Sequence, residues 1–276
     1  MRVTFWGTRG SIATPGAETT RYGGDTSCVS ISASDPTHLL VLDAGSGIRR
    51  LGLRIGQEVT RIDVMLSHLH LDHIVGLGFF APLFRRDLSI TIWGPRSSTP
   101  LLDRLGRYLS PPLFPVRLRD LESAYELRDV PVGAFDVGPL TVTAEPVIHP
   151  DPAVGYRVEG GGGTVAYLPD HEPALGPAFP SDPWWTSGAD VAASADLLIH
   201  DAQYTGQEYA ERVGWGHSSV DDAVAFADLV GARELALFHH DPSRTDDQVD
   251  GLLAAAQRVR STVDVVGARE GLSITV

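Results

Sequence analysis

The feature that most constrains this chain is a run of histidines around one aspartate, Ser67-His68-Leu69-His70-Leu71-Asp72-His73. The run follows an apolar, β-branched segment, 62–66, which predicts a strand. Three imidazoles and a carboxylate are hard to accommodate at a packed strand end unless a cation binds them. Neutral imidazole suits zinc, and a carboxylate lowers the net charge of such a site. A strand-to-helix turn would direct His68 and His70 at one ion and Asp72 and His73 at a second. The alternative is a histidine-rich surface turn, which the apolar residues on both sides disfavour.

Short strands and helices alternate along the rest of the chain. Candidate strands are β-branched or aromatic-rich segments bounded by turn residues, at 3–6, 28–32, 39–42, 62–66, 89–93, 140–147, 155–158, 164–168, 197–200, 235–238 and 272–276. Candidate helices cover 46–55, 73–81, 98–109, 219–230 and 246–259. No long linker and no internal repeat is visible. We therefore expect residues 1–276 to form a single domain of layered α/β or α+β type.

Composition narrows the class of protein. The single cysteine, Cys28, excludes an internal disulfide and a cysteine-rich zinc module. The formal net charge of −13 opposes non-specific nucleic-acid binding, and all 22 basic residues are arginine. No apolar run approaches the roughly 20 residues that span a bilayer, and the N-terminus carries no signal-peptide pattern. We expect a soluble cytoplasmic protein with no membrane partner.

With its HxHxDH pattern after a strand, the sequence resembles the metallo-β-lactamase superfamily. The resemblance implies a four-layer αββα sandwich with two divalent metal ions at the sheet edge, zinc in the first place and manganese or iron as alternatives. It also implies three further ligands, each at a strand end: a lone histidine, an aspartate and a final histidine. Their counterparts here are His149, Asp170 and one of His239 and His240. His239 is favoured because it is nearer the strand end, and His240 stays open as the alternative.

A second pair of segments, 198–204 and 214–219, resembles the ribonuclease Z-like branch of that superfamily. There an acid after an apolar strand orients a histidine that opens a helix. The acid here is Asp201, where ribonuclease Z has glutamate, and the histidine is His217. The helix dipole disfavours a charged histidine at its N-terminus, and an adjacent carboxylate restores its basicity. We therefore count Asp201, His217 and Asp72 as candidate catalytic residues; the alternative is that Asp201 and His217 are structural.

Three residues carry weaker signals. Asp43 follows the strand 39–42 and is expected to orient a ligand ring from behind. Arg9 lies in a glycine loop and is a candidate contact for an anionic substrate. His171 is expected either to line the pocket or to face solvent. The proline-rich segment 169–188, with Trp184 and Trp185, is expected to pack over a pocket or against a partner.

These residues together predict a binuclear metallohydrolase that uses a metal-bridging hydroxide. Resemblance to the ribonuclease Z and phosphoribosyl cyclic phosphate phosphodiesterase branch implies a phosphodiester substrate. Because the chain is acidic and has no basic substrate-binding arm, a small anionic diester of the cyclic phosphate or nucleotide type is expected rather than a large nucleic acid. A lactonase or thioesterase using the same metals is the alternative. A non-catalytic sensor or a di-iron oxidoreductase fits less well, because the ligand set is complete. A homodimer is left open.

Overall fold

Strand pairing in this computed structural model builds two sheets of seven strands each from residues 1–175, 182, 185–259 and 261–276, the part of the chain that the structure describes. The first sheet has the order β14-β1-β2-β3-β4-β5-β6. Its strands are β1 (Arg2–Gly7), β2 (Cys28–Ser32), β3 (His38–Leu42), β4 (Arg61–Met65), β5 (Ser89–Gly94), β6 (Ala124–Asp129) and β14 (Ser273–Thr275).

The second sheet has the order β13-β12-β11-β10-β9-β8-β7. Its strands are β7 (Gly133–Val137), β8 (Leu140–Val147), β9 (Ala153–Gly160), β10 (Gly163–Leu168), β11 (Leu197–Asp201), β12 (Glu234–Phe238) and β13 (Asp264–Gly267). Both sheets follow one plan, since an antiparallel half is joined to a parallel half. The parallel strands are β3 to β6 in the first sheet and β10 to β13 in the second.

The helices in the described residues are short, apart from two of 11 residues. They are α1 (Ile48–Gly52), α2 (Leu71–Ile74), α3 (Leu101–Gly106), α4 (Ala189–Ala192), α5 (Gly206–Ala210), α6 (Val220–Val230) and α7 (Asp246–Ala256). Single 3-10 turns cover Ala17–Thr19, Leu77–Phe79, Ala81–Phe84 and Leu118–Asp120. Helix α6 begins where the Ser219 hydroxyl accepts the amide of Asp222, and it ends at Gly231 with a left-handed φ of 68°.

The buried apolar side chains form three core layers, one between the two sheets and one on the outer face of each sheet. Alternation along β11 sends Leu197 and Ile199 to the core between the sheets and Leu198 to the outer face. The outer face of the first sheet is covered by α1 and α3, and that of the second by α4, α6 and α7. The predicted αββα arrangement is therefore confirmed. None of the helices in the described part of the chain combines the length and the apolar composition of a membrane span.

Candidate metal centre

One edge of the two sheets collects the polar residues that follow the strands. In the first sheet, Asp43 follows β3 and the histidine run follows β4. In the second sheet, Asp170 follows β10, Asp201 ends β11 and His239 follows β12. These are the carboxyl ends of parallel strands, the edge at which open α/β sheets bind ligands. The backbone thus gathers residues that are far apart in sequence.

The first cluster at this edge combines three histidines with one aspartate. Ligand-type atoms of His68, His70, His149 and Asp170 all lie within 4.8 Å of one another. The Nε2 atoms of His68 and His149 are each 3.6 Å from the Oδ2 atom of Asp170. Imidazole nitrogens around a carboxylate oxygen at this spacing could hold one divalent cation.

A second cluster shares the carboxylate of the first. It consists of Asp72, His73, Asp170 and His239, whose ligand-type atoms again lie within 4.8 Å of one another. The Oδ1 atom of Asp170 is 3.0 Å from Nε2 of His73 and 3.2 Å from Nε2 of His239. Asp170 therefore directs one oxygen into each cluster, which is the arrangement that a carboxylate bridging two cations requires.

Unsatisfied polar atoms show that the clusters fit cations. The Nε2 atoms of His68, His73 and His149 and the Oδ1 atom of Asp170 are buried and have no hydrogen-bond partner. Buried polar atoms are nearly always satisfied, so these four unpaired atoms across the two clusters indicate that the clusters suit cations. Burial lowers the pKa of His68 well below its usual value, and neighbouring imidazoles add to this effect. The pKa of Asp170 is also low, because the charges of His239, His73 and His68 outweigh its burial. A neutral imidazole and an ionised carboxylate are the forms that bind metal.

Hydrogen bonds from behind fix the ring of His73. Its Nδ1 atom donates to Oδ2 of Asp43 at 2.7 Å. The buried Asp43 also accepts the amide and hydroxyl of Ser67, at 2.7 and 2.8 Å, and the hydroxyl of Tyr167 at 2.9 Å. Because Asp43 holds Nδ1, the Nε2 atom of His73 faces the cluster. This position matches the orienting role expected for Asp43.

Other ligand candidates are held by residues that the sequence did not single out. Asp151 accepts a hydrogen bond from Nε2 of His70 at 2.8 Å, which leaves Nδ1 as the ring nitrogen for a cation. Gln203 lies 2.9 Å from Nδ1 of His239. Asp151 follows His149 by two residues. This closeness in sequence to a predicted ligand is the one local signal that could have identified Asp151.

The expected pairing of Asp201 with His217 is present. The two residues are joined by a hydrogen bond of 2.7 Å between Nδ1 of His217 and Oδ2 of Asp201. Asp201 is fully buried and its other oxygen accepts the amides of Gln203 and Ser218. Burial lowers the pKa of His217, but the charge and hydrogen bond of Asp201 outweigh it and raise this pKa to about 9. The ring stacks on that of His239 with their centroids 5.0 Å apart, so His217 lies beside the second cluster.

Comparison with known proteins agrees with this geometry. Residues 38–240 match the family described as beta-lactamase superfamily domain. The chain belongs to this superfamily. Ribonuclease Z of Haloferax volcanii is 29% identical over 87% of this chain and 84% of its own length. Two solved structures share the fold at 22% identity: the metallo-beta-lactamase fold protein YhfI from Bacillus subtilis, with a TM-score of 0.73 over 99% of each chain, and the short form of human tRNase Z, with a TM-score of 0.71 over 100% of this chain and 99% of that one.

The comparisons confirm two predictions and contradict a third. The fold resemblance and the assignment as a metal-dependent hydrolase are confirmed, and the two His/Asp clusters are suited to divalent metal ions. The expectation, drawn from the acidic net charge, that a large nucleic acid is not a substrate is wrong. Relatives that match most of this chain are named ribonuclease Z or tRNase Z, after RNA. The net charge is a sum over the whole chain, whereas a bound substrate responds to the electrostatic potential at the site.

Arg9 is not available to a substrate, contrary to expectation. Its side chain is fully buried and donates to the carbonyl oxygens of Gly23, Asp241 and Arg244 at 2.8, 3.3 and 2.9 Å. Its second terminal nitrogen lies 3.5 Å from Asp246. The guanidinium therefore ties its own loop to the loop at Gly23 and to the segment 241–244. The glycine loop still contacts the site, because the backbone amide of Ser11 donates a hydrogen bond to Asp72.

His171 and His240 also point away from the clusters. The buried ring of His171 is hydrogen-bonded to His200 at 2.8 Å and packs on Phe226, so it neither faces solvent nor lines the site. Nε2 of His240 donates to the carbonyl of Ala268 at 2.8 Å. Of the two consecutive histidines, His239 is thus the one that the structure brings to Asp170.

Glu172 is a buried residue of the site that sequence reasoning missed. Its carboxyl group accepts the amides of Gly214, at 2.9 and 3.1 Å, and of Gly216 at 3.0 Å, and the Tyr209 hydroxyl at 2.8 Å. These contacts shape the turn that immediately precedes His217. A Cβ on Gly216, whose φ is +85°, would lie 2.6 Å from the ring of His149, so glycine is required there.

The proline-rich segment is described only in part. Residues 176–181, 183 and 184, and with them Trp184, lie outside the described residues. Trp185 is 83% exposed. The packing role expected for the tryptophan pair stays a prediction.

Proposed function

We propose that this superfamily member hydrolyses phosphodiesters at a centre of two divalent cations, with residues 1–276 acting as one catalytic domain. Zinc is the first candidate, and manganese and iron are the alternatives. The observation that carries the proposal is the shared carboxylate of Asp170, with one oxygen in each of two nitrogen-rich clusters. His68, His70 and His149 would complete one site.

The second site would be completed by Asp72, His73 and His239. Bound divalent cations would supply positive charge for the phosphoryl oxygens and lower the pKa of water. The protein's own contribution is to hold the rings. Asp43 fixes His73, Asp151 fixes His70 and Gln203 fixes His239.

The pair of Asp201 and His217 favours an ester with an alkoxide leaving group, such as a phosphodiester, over a thioester. Hydrolysis of a diester joins a water oxygen to phosphorus and breaks one ester P–O bond, which releases an alkoxide. Asp201 occupies Nδ1 of His217, so Nε2 is the atom that would hand a proton to this alkoxide. A thiolate leaving group needs no such donor, because it is a much weaker base.

The names of the relatives support the same reaction and widen the range of substrates. RNA and small diesters, such as nucleotide esters and cyclic phosphates, present the same reacting group. The proposal therefore includes both. A panel of RNA, bis(p-nitrophenyl) phosphate, lactones and thioesters, with zinc- or manganese-loaded protein, separates it from the lactonase and thioesterase alternatives. Turnover of lactones or thioesters without turnover of any diester would overturn it.

The proton donor is tested by the substitution His217→Ala. We expect both cations to remain bound while the rate on an alkyl leaving group falls by about 10²–10⁴-fold. The loss should shrink for p-nitrophenolate, which leaves without a proton. Asp201→Asn should show a milder form of the same pattern, because the ring is kept but loses its negatively charged partner. An equal loss on both leaving groups would contradict the assignment of His217 as proton donor.

A further inference from the structure

A cleft of about 440 Å³ opens beside the metal centre. His70 and Asp151 are among its lining residues, so the cleft borders the first cluster. Neither His149 nor His217 is among its described lining residues. A diester held over the clusters with its leaving group toward His217 would therefore direct its other substituent into this cleft.

Apolar side chains at the mouth of the cleft are poorly covered. Leu71 is 62% exposed and Leu113 is 71% exposed. Both line the cleft. Large aliphatic groups next to a polar centre favour a ligand with an organic body, because such a ligand removes their surface from water.

The charge of the cleft is opposite to that of the whole chain. The chain has a formal net charge of −13, yet two arginines, Arg104 and Arg107, line the cleft together with a single acid, Asp151. Asp151 is already paired with His70. Arg104 is paired with Asp129, which is not among the lining residues, so the uncommitted charge among the described lining residues is that of Arg107.

The two arginines differ in how far the protein already engages them. The exposed side chain of Arg107 makes no hydrogen bond or ion pair within the described part of the chain. Arg104 donates to the carbonyl of Pro95 at 2.8 Å and to Asp129 at 3.4 Å, so Arg107 is the arginine with free donors. A guanidinium with unused donors next to an apolar wall is suited to a phosphate group on an organic ligand.

We infer that this cleft binds the substituent that stays on the reacting phosphorus, and that Arg107 recognises a second phosphate on that substituent. The inference rests on the proposed function, because it takes the reacting diester to lie over the two clusters. It narrows the substrate class to nucleotide-like diesters that carry a further phosphate. An internal nucleotide of RNA and a small bisphosphorylated diester share this chemistry.

Equilibrium binding tests the inference without requiring turnover. Thymidine 5′-monophosphate and thymidine 3′,5′-bisphosphate differ only in the second phosphate, and both can be titrated into zinc-loaded protein by calorimetry. We expect the bisphosphate to bind about 10-fold more tightly, the usual effect of one charge-assisted contact. Arg107→Gln should remove this preference and leave the affinity for the monophosphate unchanged.

A matched control distinguishes a local contact from a change in net charge. Arg233→Gln makes the same charge change at an arginine that is also exposed but does not line the cleft, so it should keep the preference. An equal preference in wild-type protein and Arg107→Gln would overturn the inference, as would its loss in both arginine variants. If the preference follows Arg107 but no diester is hydrolysed, the proposed function fails and the binding site stands.

The source of the second phosphate is found by a kinetic comparison. Thymidine 5′-(p-nitrophenyl phosphate), with and without a 3′-phosphate, tests a small substrate, and an RNA with a fluorescent 3′ end tests a chain. Arg107→Gln should raise KM and not kcat for whichever substrate uses the contact. A fall in kcat with no change in KM on every substrate would contradict a binding role for Arg107.

Discussion

His239 and His240 are neighbours in sequence, yet their rings face opposite ways. His239 has a left-handed φ of 57°, which turns its ring to Asp170 as the chain leaves β12. Gly10 lies so close that a Cβ there would meet the His239 ring at 2.5 Å. Neither feature can be read locally from two adjacent histidines. The sequence could therefore narrow the last ligand to this pair, and the backbone conformation distinguishes the two.

We expect His239→Ala to remove one metal ion and His240→Ala to keep both. His239 contacts Asp72 and Asp170 in the second cluster, whereas His240 is hydrogen-bonded to a carbonyl outside it. Elemental analysis of protein purified without chelator measures the outcome. Wild-type protein should hold about two equivalents. Two equivalents in His239→Ala and one in His240→Ala would reverse the assignment.

Single residues also show why some predictions failed. The motif after β4 is local, so its chemistry could be predicted from spacing alone. Arg9 was misjudged because its partners are carbonyl oxygens at positions 23, 241 and 244, which only the folded chain brings together. Backbone acceptors leave no signature in the sequence. A buried arginine and a substrate-binding arginine look the same before the fold is known.

Among the elements, strands were predicted more accurately than helices. The segment predicted as a helix over 73–81 is instead α2 (Leu71–Ile74) followed by 3-10 turns. Strand β6 (Ala124–Asp129) was missed because it lies at the sheet edge and alternates exposed charged residues with half-buried ones. Elements with a strong apolar period, such as α6, were predicted to within one residue.

The turn before His217 gives a prediction at the scale of elements. Glu172→Gln should lower the free energy of unfolding by about 1–3 kcal/mol, because it replaces an acceptor oxygen of a buried carboxyl group with a donor NH₂ group. It should also slow hydrolysis of alkyl esters more than of p-nitrophenyl esters, since Gly214 and Gly216 would no longer hold the turn. Urea unfolding and the two rates measure these effects.

Two companion variants bracket the effect of Glu172. Tyr209→Phe removes one of its donors and should give a milder change in the same direction. Glu145→Gln makes the same chemical change on an exposed position of β8 and should alter neither stability nor the ratio of rates. A rate ratio that stays at the wild-type value in Glu172→Gln would show that Glu172 supports stability alone.

For the molecule as a whole, the repeated plan of the two sheets explains why the site forms. Each sheet joins an antiparallel half to a parallel half, and the parallel strands of both deliver side chains to one edge. Segments rich in β-branched and aromatic residues predict the strands, but the order of the strands in each sheet depends on contacts between distant segments. The layered architecture was therefore predictable, whereas the relation of Asp170 to both clusters needed the fold.

Buried histidines make the stability of the whole molecule depend on pH. Burial lowers the pKa of both His200 and His240 to about 4. The unfolded chain has a pKa near 6.5 at these positions, so below pH 6.5 it binds more protons than the folded protein. Stability is therefore fully present above about pH 6.5 and is lost as the pH falls toward 4. The expected loss is about 2 kcal/mol per histidine between pH 7 and pH 5.

The substitution His240→Gln isolates one of these contributions. Glutamine can still donate to the carbonyl of Ala268 but has no proton to gain in this range. Urea unfolding at pH 7 and pH 5 should thus show a decline that is shallower than that of wild-type protein by about 2 kcal/mol. Metal release at low pH affects both proteins equally, because His240 is not in either cluster. Parallel declines in the two proteins would mean that His240 is already protonated in the folded state, and its burial would then not be the cause of acid sensitivity.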